Sequence, residues 1–200
     1  MHLDTEMFNV YKKFDMIVAT DLNWGIGHNN RLLVSAQQDM EFFKAFTLNK
    51  VVIMGRKTAE SLPHKYLRNR INIIVSHSFG ITEKIEYPDD NSIVVKLNSI
   101  DSVLKYLETN HLCRKPHVVI GGRSIYLEFL QRELIDRIFL TTYFKKFDNV
   151  DTYIPDLLTI GFSHNLKNPY HVITGYEVPQ KAIINKRQTN LDFSINTLTI

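Results

Sequence analysis

Short runs of β-branched and aliphatic residues recur along the chain, separated by stretches in which apolar residues return every three or four positions. The runs FDMIVAT (14–20), VVIM (51–54), INIIVS (71–76), SIVV (92–95), HVVI (117–120) and RIFLTTYF (137–144) predict strands. Helices are predicted over 36–47, 57–62, 99–108 and 123–131. Runs without polar alternation, such as VVIM, suit a sheet covered on both faces, and hence parallel strands joined by crossover helices. Past about residue 137 the helical pattern fades. HVITGYEV (171–178) and NLDFSINTLTI (190–200) then predict a closing, antiparallel pair of strands, while Asp156–Lys186 carries the least pattern. No repeat, low-complexity tract or Pro/Gly/Ser linker interrupts the chain. The expected organisation is an extension over 1–13 followed by one α/β domain over 14–200.

The first predicted helix carries an acid on its apolar side. Asp39, Phe43 and Phe46 fall at i, i+4 and i+7, which is one helical face. Ser35 followed by Gln38 has the spacing of a capping box. An acid in the first turn serves the helix dipole, so simple helix-end electrostatics accounts for Asp39. The alternative is a carboxylate at the mouth of an apolar pocket, where desolvation raises its pKa and suits it to a polar, protonatable ligand.

Composition narrows the classes. The chain has 200 residues, 44% hydrophobic and 22% charged, with 24 basic and 21 acidic residues for a net charge of +3. The basic residues are scattered, so neither nucleic acid nor an anionic membrane is expected as a partner, although a local phosphate site fits. Cys113 is the only cysteine and forms no internal disulfide, which suits a reducing, cytoplasmic setting. No apolar run approaches membrane-spanning length. The eight histidines do not fall at ligand spacing, so no metal is expected.

Three segments carry candidate chemistry. In VVIMGRKTAESLP (51–63) a buried strand ends at Gly55 and a helix starts near Lys57. Arg56 and Lys57 there oppose the helix dipole, a cost that points to an anion at that end, where Thr58 adds a hydroxyl. The competing account is a glycine turn with surface charges. In HVVIGGRSIYLEFL (117–130) the Gly121-Gly122 pair again joins a strand to a helix. Two such sites in one sheet suit a ligand with several phosphates at the carboxyl ends of the strands. IVATDLNWGIGHNNRL (17–32) runs from a strand into a polar loop, a candidate lid or an ordinary surface connection, with Trp24 as a packing anchor. Neither a G-x-G-x-x-G nor a G-x-x-x-x-G-K-[ST] fingerprint is present.

Taken in order, these stretches resemble the dihydrofolate reductase family over about residues 14–155, with a looser match in the final strand. TLNKVVIMGRKTAESLP is the most specific segment; IVATDLNWGIGHNN, INIIVSH, VVIGGRSIY, IFLTT and DTYIPD follow the family's order. The resemblance implies a central, mostly parallel eight-stranded sheet with an antiparallel C-terminal strand and helices on both faces. It implies NADPH as cofactor, reduction of 7,8-dihydrofolate to tetrahydrofolate, a small-molecule substrate and a monomer. It places Asp39, Thr141 and Tyr126 at the catalytic centre. Asp39 would bind the pterin N3 and 2-amino group, Thr141 would support the acid, and Ile17, Phe43, Leu67 and Ile120 would wall the pocket. Arg70 matches the arginine that takes the substrate α-carboxylate. For the cofactor it implies Ala19, Ile26 and Gly27 at the nicotinamide. Lys57, Thr58, Gly121, Gly122, Arg123, Ser124, Ile125 and Tyr126 match pyrophosphate and ribose contacts, with Thr152 also on the cofactor side. Arg56, Ser76 and His77 match the 2′-phosphate site.

The sequence departs from the family's pattern in three places. The usual Pro-Trp before the acid reads Leu33-Val34. The turn before Arg70 reads LRNR, with Asn69 where the family has glycine, and Arg123 stands where a small residue is common. Two other functions share parts of this pattern: a riboflavin-pathway reductase, which would have no use for Asp39, and a reductase-fold nucleotide-binding protein with a structural or regulatory role.

Overall fold

The structure, a computed structural model, describes residues 14–80, 84–164 and 193–199. The predicted extension over 1–13 and the predicted strand over 171–178 lie outside the described residues. In chain order the elements are β1 (Phe14–Thr20), β2 (Gly25–His28), β3 (Arg31–Leu32), α1 (Gln37–Thr47), β4 (Val51–Gly55) and α2 (Arg56–Ser61). There follow β5 (Ile71–Val75), β6 (Lys84–Asp89), β7 (Ser92–Leu97), α3 (Ile100–Thr109), β8 (His117–Gly121) and α4 (Arg123–Gln131). The last are β9 (Ile135–Tyr143), β10 (Thr152–Tyr153), β11 (Ser163–His164) and β12 (Phe193–Thr199). The α/β class, the parallel majority and the antiparallel C-terminal strand agree with expectation. Strands β1, β4, β5, β7, β8, β9 and β12 match seven of the expected strands, whereas β6 and the two-residue β11 were not expected.

The chain divides into two compact units. Among the described residues, one comprises those within 14–16 and 49–136, the other those within 17–48 and 137–199. In the first unit the strand order is β6-β7-β5-β4-β8-β1, parallel except for β6 against β7. The residues Val51–Met54 are wholly buried, as the unbroken apolar run requires of a strand covered on both faces. Helix α3 starts cleanly because Ser99 accepts from the Ser102 backbone N–H at 3.2 Å. It buries Ile100, Val103, Leu104 and Leu107, one face at helical spacing, each side chain worth about 1.5–3 kcal/mol on leaving water. Strand β6, KIEYPD, was absent from the sequence pattern. Its charges and Pro88 belong to an exposed edge, where unpaired backbone must not invite another chain.

In the second unit β9 pairs antiparallel with β12, from Phe193 opposite Tyr143 to Thr199 opposite Arg137, and β11 flanks β12. The predicted lid loop contains structure of its own. Strands β2 and β3 form a hairpin whose two turn residues, Asn29 and Asn30, have φ of 50° and 59°, the left-handed pair that a two-residue turn needs. Strand β10 pairs with β2 on the other side. Two carboxylates stitch these segments together. Asp21 accepts from the Asn23 and Gly25 N–H groups, both at 2.8 Å, and from Phe147 N–H at 3.2 Å. Asp151 accepts from Asn29 N–H at 2.7 Å, while its own N–H donates to the Gly27 carbonyl. No helix among the described residues is long and apolar enough to cross a membrane.

Candidate active site

Asp39 lies in the first turn of α1 and is 9% exposed. The capping box expected from Ser35 and Gln38 does not form: the N-cap is Ala36, and no side chain caps it. The buried face is Asp39, Phe42, Phe46 and Thr47, so Phe42 takes the interior place expected for Phe43, which is half-buried. Phe42 and Phe46 stack at 5.7 Å between ring centres, and Phe46 packs on Phe139 at 4.2 Å. A carboxylate beside this aromatic wall is desolvated, and burial pushes its pKa up. Two hydroxyls from β9 oppose that shift. Thr141 Oγ1 donates to Asp39 Oδ1 at 2.7 Å and Tyr143 Oη donates to Oδ2 at 3.1 Å. Both oxygens of the acid are therefore engaged, yet each keeps acceptor capacity for a ligand's donors.

Thr141 was expected from the sequence; Tyr143 was not. The signal was there. Residues two apart on a strand share a face, so Thr141 at the acid brings Tyr143 to it as well. Ile17 in the same unit is buried, and Ala19, Ile26 and Thr152 are half-buried with Gly27 buried.

In the first unit the two strand-to-helix turns lie side by side, because β4 and β8 are parallel neighbours with Met54 opposite Gly121. Gly121 has φ +107°, and a Cβ there would stand 2.9 Å from the Tyr126 ring. Only glycine fits that conformation and that approach. A Cβ on Gly122 would lie 3.1 Å from Thr58 Oγ1. Gly122 is the N-cap of α4 and no side chain caps it, which makes this helix end a candidate anion site. Arg123 and Ser124 are exposed on the first turn, while Ile125 and Tyr126 are buried. Burial pushes the Tyr126 hydroxyl pKa up, so it stays protonated. Arg56 and Lys57 are exposed and Thr58 is half-buried; Arg56 is paired with Glu60 at 2.7 Å. At the end of β5, Ser76 is half-buried and His77 exposed. These glycines, with cations and hydroxyls on the adjoining turns, present the kinds of group that bind an anion.

The turn before β5 is also ordered. Asn69 has φ 58°, the left-handed conformation that the LRNR departure required of it. Asn72, wholly buried in β5, accepts from Leu67 N–H at 2.7 Å and donates to the Leu67 carbonyl at 2.9 Å. Ser92 Oγ accepts from Asn69 N–H at 2.9 Å. Arg70 is buried, donates to the Arg68 carbonyl, and has its pKa lowered by burial. Ile120 is buried in β8 and Leu67 half-buried in the turn. Asn72 was missed because a lone polar residue in an apolar run carries no periodicity signal.

Comparison with known proteins gives the chain's family and a structural neighbour. A family profile described as dihydrofolate reductase matches residues 13–178. The dihydrofolate reductase of Schistosoma mansoni is 34% identical over 152 residues, covering 72% of this chain and 78% of that one. A bifunctional dihydrofolate reductase-thymidylate synthase of Paramecium tetraurelia is 30% identical over 176 residues. That match covers 88% of this chain, which spans about a third (35%) of the length of the bifunctional protein. Among solved structures, the dihydrofolate reductase of Enterococcus faecalis complexed with NADP(H) and RAB-propyl superposes with a TM-score of 0.67 at 19% identity. It covers 94% of this chain and 96% of that chain.

Proposed function

Because the chain belongs to the dihydrofolate reductase family, we propose that it reduces 7,8-dihydrofolate to tetrahydrofolate with NADPH. The observation that carries this reading is the buried Asp39 carboxylate, held by two hydroxyls on an aromatic face. A flat heterocycle that offers two N–H donors matches such an acid, and the match is charge-assisted when the ring is cationic. Asp39 then favours the protonated ring and raises the proton affinity of N5, with solvent delivering the proton. Thr141 fixes the rotation of the carboxylate. Ile17 and Phe43, with Leu67 and Ile120, are the proposed apolar contacts of the substrate, and Arg70 takes its α-carboxylate.

Bound NADPH supplies the hydride that C6 receives. On this reading Gly121 and Gly122 allow the backbone to approach the pyrophosphate, and the N-terminus of α4, with Arg123, Ser124, Lys57 and Thr58, binds it. Ile125 and Tyr126 complete that turn beside the ribose and reacting centre, and Thr152 lies on the cofactor side. Arg56, Ser76 and His77 select the 2′-phosphate, and Ala19, Ile26 and Gly27 orient the carboxamide through their backbones. The test is loss of the near-ultraviolet absorbance of reduced nicotinamide when protein, NADPH and dihydrofolate are mixed. Loss that methotrexate abolishes is the expected outcome. NADPH binding without turnover would instead favour the regulatory, nucleotide-binding alternative.

A further inference from the structure

Tyr143 is the feature of the site that neither the family resemblance nor the motifs account for. Its ring is almost wholly buried, and its hydroxyl donates to Asp39 Oδ2 at 3.1 Å. The same oxygen accepts from the Ala36 backbone amide. Ala36 is the N-cap of α1, and Asp39 is the third helical residue after it. In a capping box that third residue reaches back to the N-cap N–H directly. Here the Tyr143 hydroxyl is inserted between them, so the acid is tied to the start of its own helix through a side chain from β9. Leu33-Val34, the segment leading into the helix, has no side-chain donor for this task.

We propose that Tyr143 is a positioning residue of this site, whose hydroxyl orients Asp39 and holds it as a carboxylate for a protonatable ring. The inference rests on the proposed function for its purpose but not for its geometry. Burial acts against ionisation of Asp39, and among the described residues Thr141 and Tyr143 are the groups that favour the charged form. Loss of a hydrogen bond to a charged group moves its titration midpoint by roughly one to two pH units. Burial also raises the pKa of the Tyr143 hydroxyl, which keeps it a donor across the working pH range.

The experiment follows Asp39 directly, by carbon-13 labelling of aspartate carboxyls, with the Asp39 signal identified as the one lost in Asp39→Asn. In Tyr143→Phe the Asp39 midpoint should rise by about one unit or more. Replacing the tyrosines with 3-fluorotyrosine, a more acidic phenol and stronger donor, should move it down, and this second arm needs no point variant that must fold. The acid limb of turnover in Tyr143→Phe should shift upward with the midpoint, while NADPH affinity is unchanged. An Asp39 midpoint that moves in neither arm overturns the proposal. Wild-type protein that titrates as expected but does not reduce dihydrofolate overturns the reductase reading and, with it, the purpose assigned to Tyr143.

Discussion

A substitution at Asp39 separates the roles of charge and shape. Asp39→Asn keeps the volume and the contacts to Thr141 and Tyr143 possible, but removes the charge that would pair with a protonated ring. We expect turnover to fall about a hundredfold or more, with NADPH affinity nearly unchanged. The loss should be most severe at high pH, where the substrate is least protonated and most needs help. Steady-state rates across pH check this, and unchanged turnover would remove Asp39 from the mechanism. Asp39 stood out in the sequence as an acid on an aromatic face, but that pattern left helix-end electrostatics open, and the family resemblance alone pointed to a pocket. Tyr143 follows only once Thr141 has been placed at the acid, and Asn72 was not legible, because an asparagine inside a strand looks like packing until its partners are known.

The helices and strands show where local rules suffice. Helix α4 spans the predicted 123–131, and β1 the predicted 14–20, since each is framed by strong boundary signals. β6 was missed because edge strands carry charge and proline. The β2–β3 hairpin was missed because its strands are too short for periodicity, although Asn29-Asn30 is itself a turn signal. Helix α2 starts with Arg56, which opposes the dipole and is held by Glu60 one turn on, both side chains nearly half exposed. That pair is worth only a few tenths of a kcal/mol, a weak competitor for a phosphate. Glu60→Gln should therefore raise the preference for NADPH over NADH by about twofold, whereas Arg56→Ala should lower it by tenfold or so. Paired KM measurements with the two cofactors decide it. A preference that ignores both substitutions would take Arg56 out of the 2′-phosphate site.

At the scale of the whole molecule the alternation of strands and helices was legible, whereas the partition into two units was not. One boundary falls between Met16 and Ile17, inside the continuous run FDMIVAT, and is set by which distant residues cluster, a property no local window holds. Stability at this scale has an identifiable acid liability. His117, at the start of β8, packs against Phe14 and Phe14 against Phe129, and one ring nitrogen lies 3.1 Å from the Leu112 carbonyl. Burial lowers its pKa from 6.5 to about 4. Between those values the unfolded chain binds the proton and the folded one does not. Its contribution is thus complete above 6.5 and is lost as pH falls, by about 3 kcal/mol near pH 4. Urea midpoints should drop over this range and drop less in His117→Gln. Equal drops would place the acid sensitivity elsewhere.

The stitching of the hairpin region by Asp21 and Asp151 has a consequence for how this chain can vary. Each acid grips main-chain N–H groups, and a main-chain amide is offered by every residue except proline. The identities of Asn23 and Phe147 are to that extent interchangeable, whereas Asn29 must also suit its left-handed turn. Two fixed acids thus allow the segments between them to diversify without losing their course. In a saturation library, positions 21 and 151 should stand out as narrow islands of intolerance, and position 25 with them, since a Cβ there would meet Val150 at 2.7 Å. Around those islands proline should be the commonest failure.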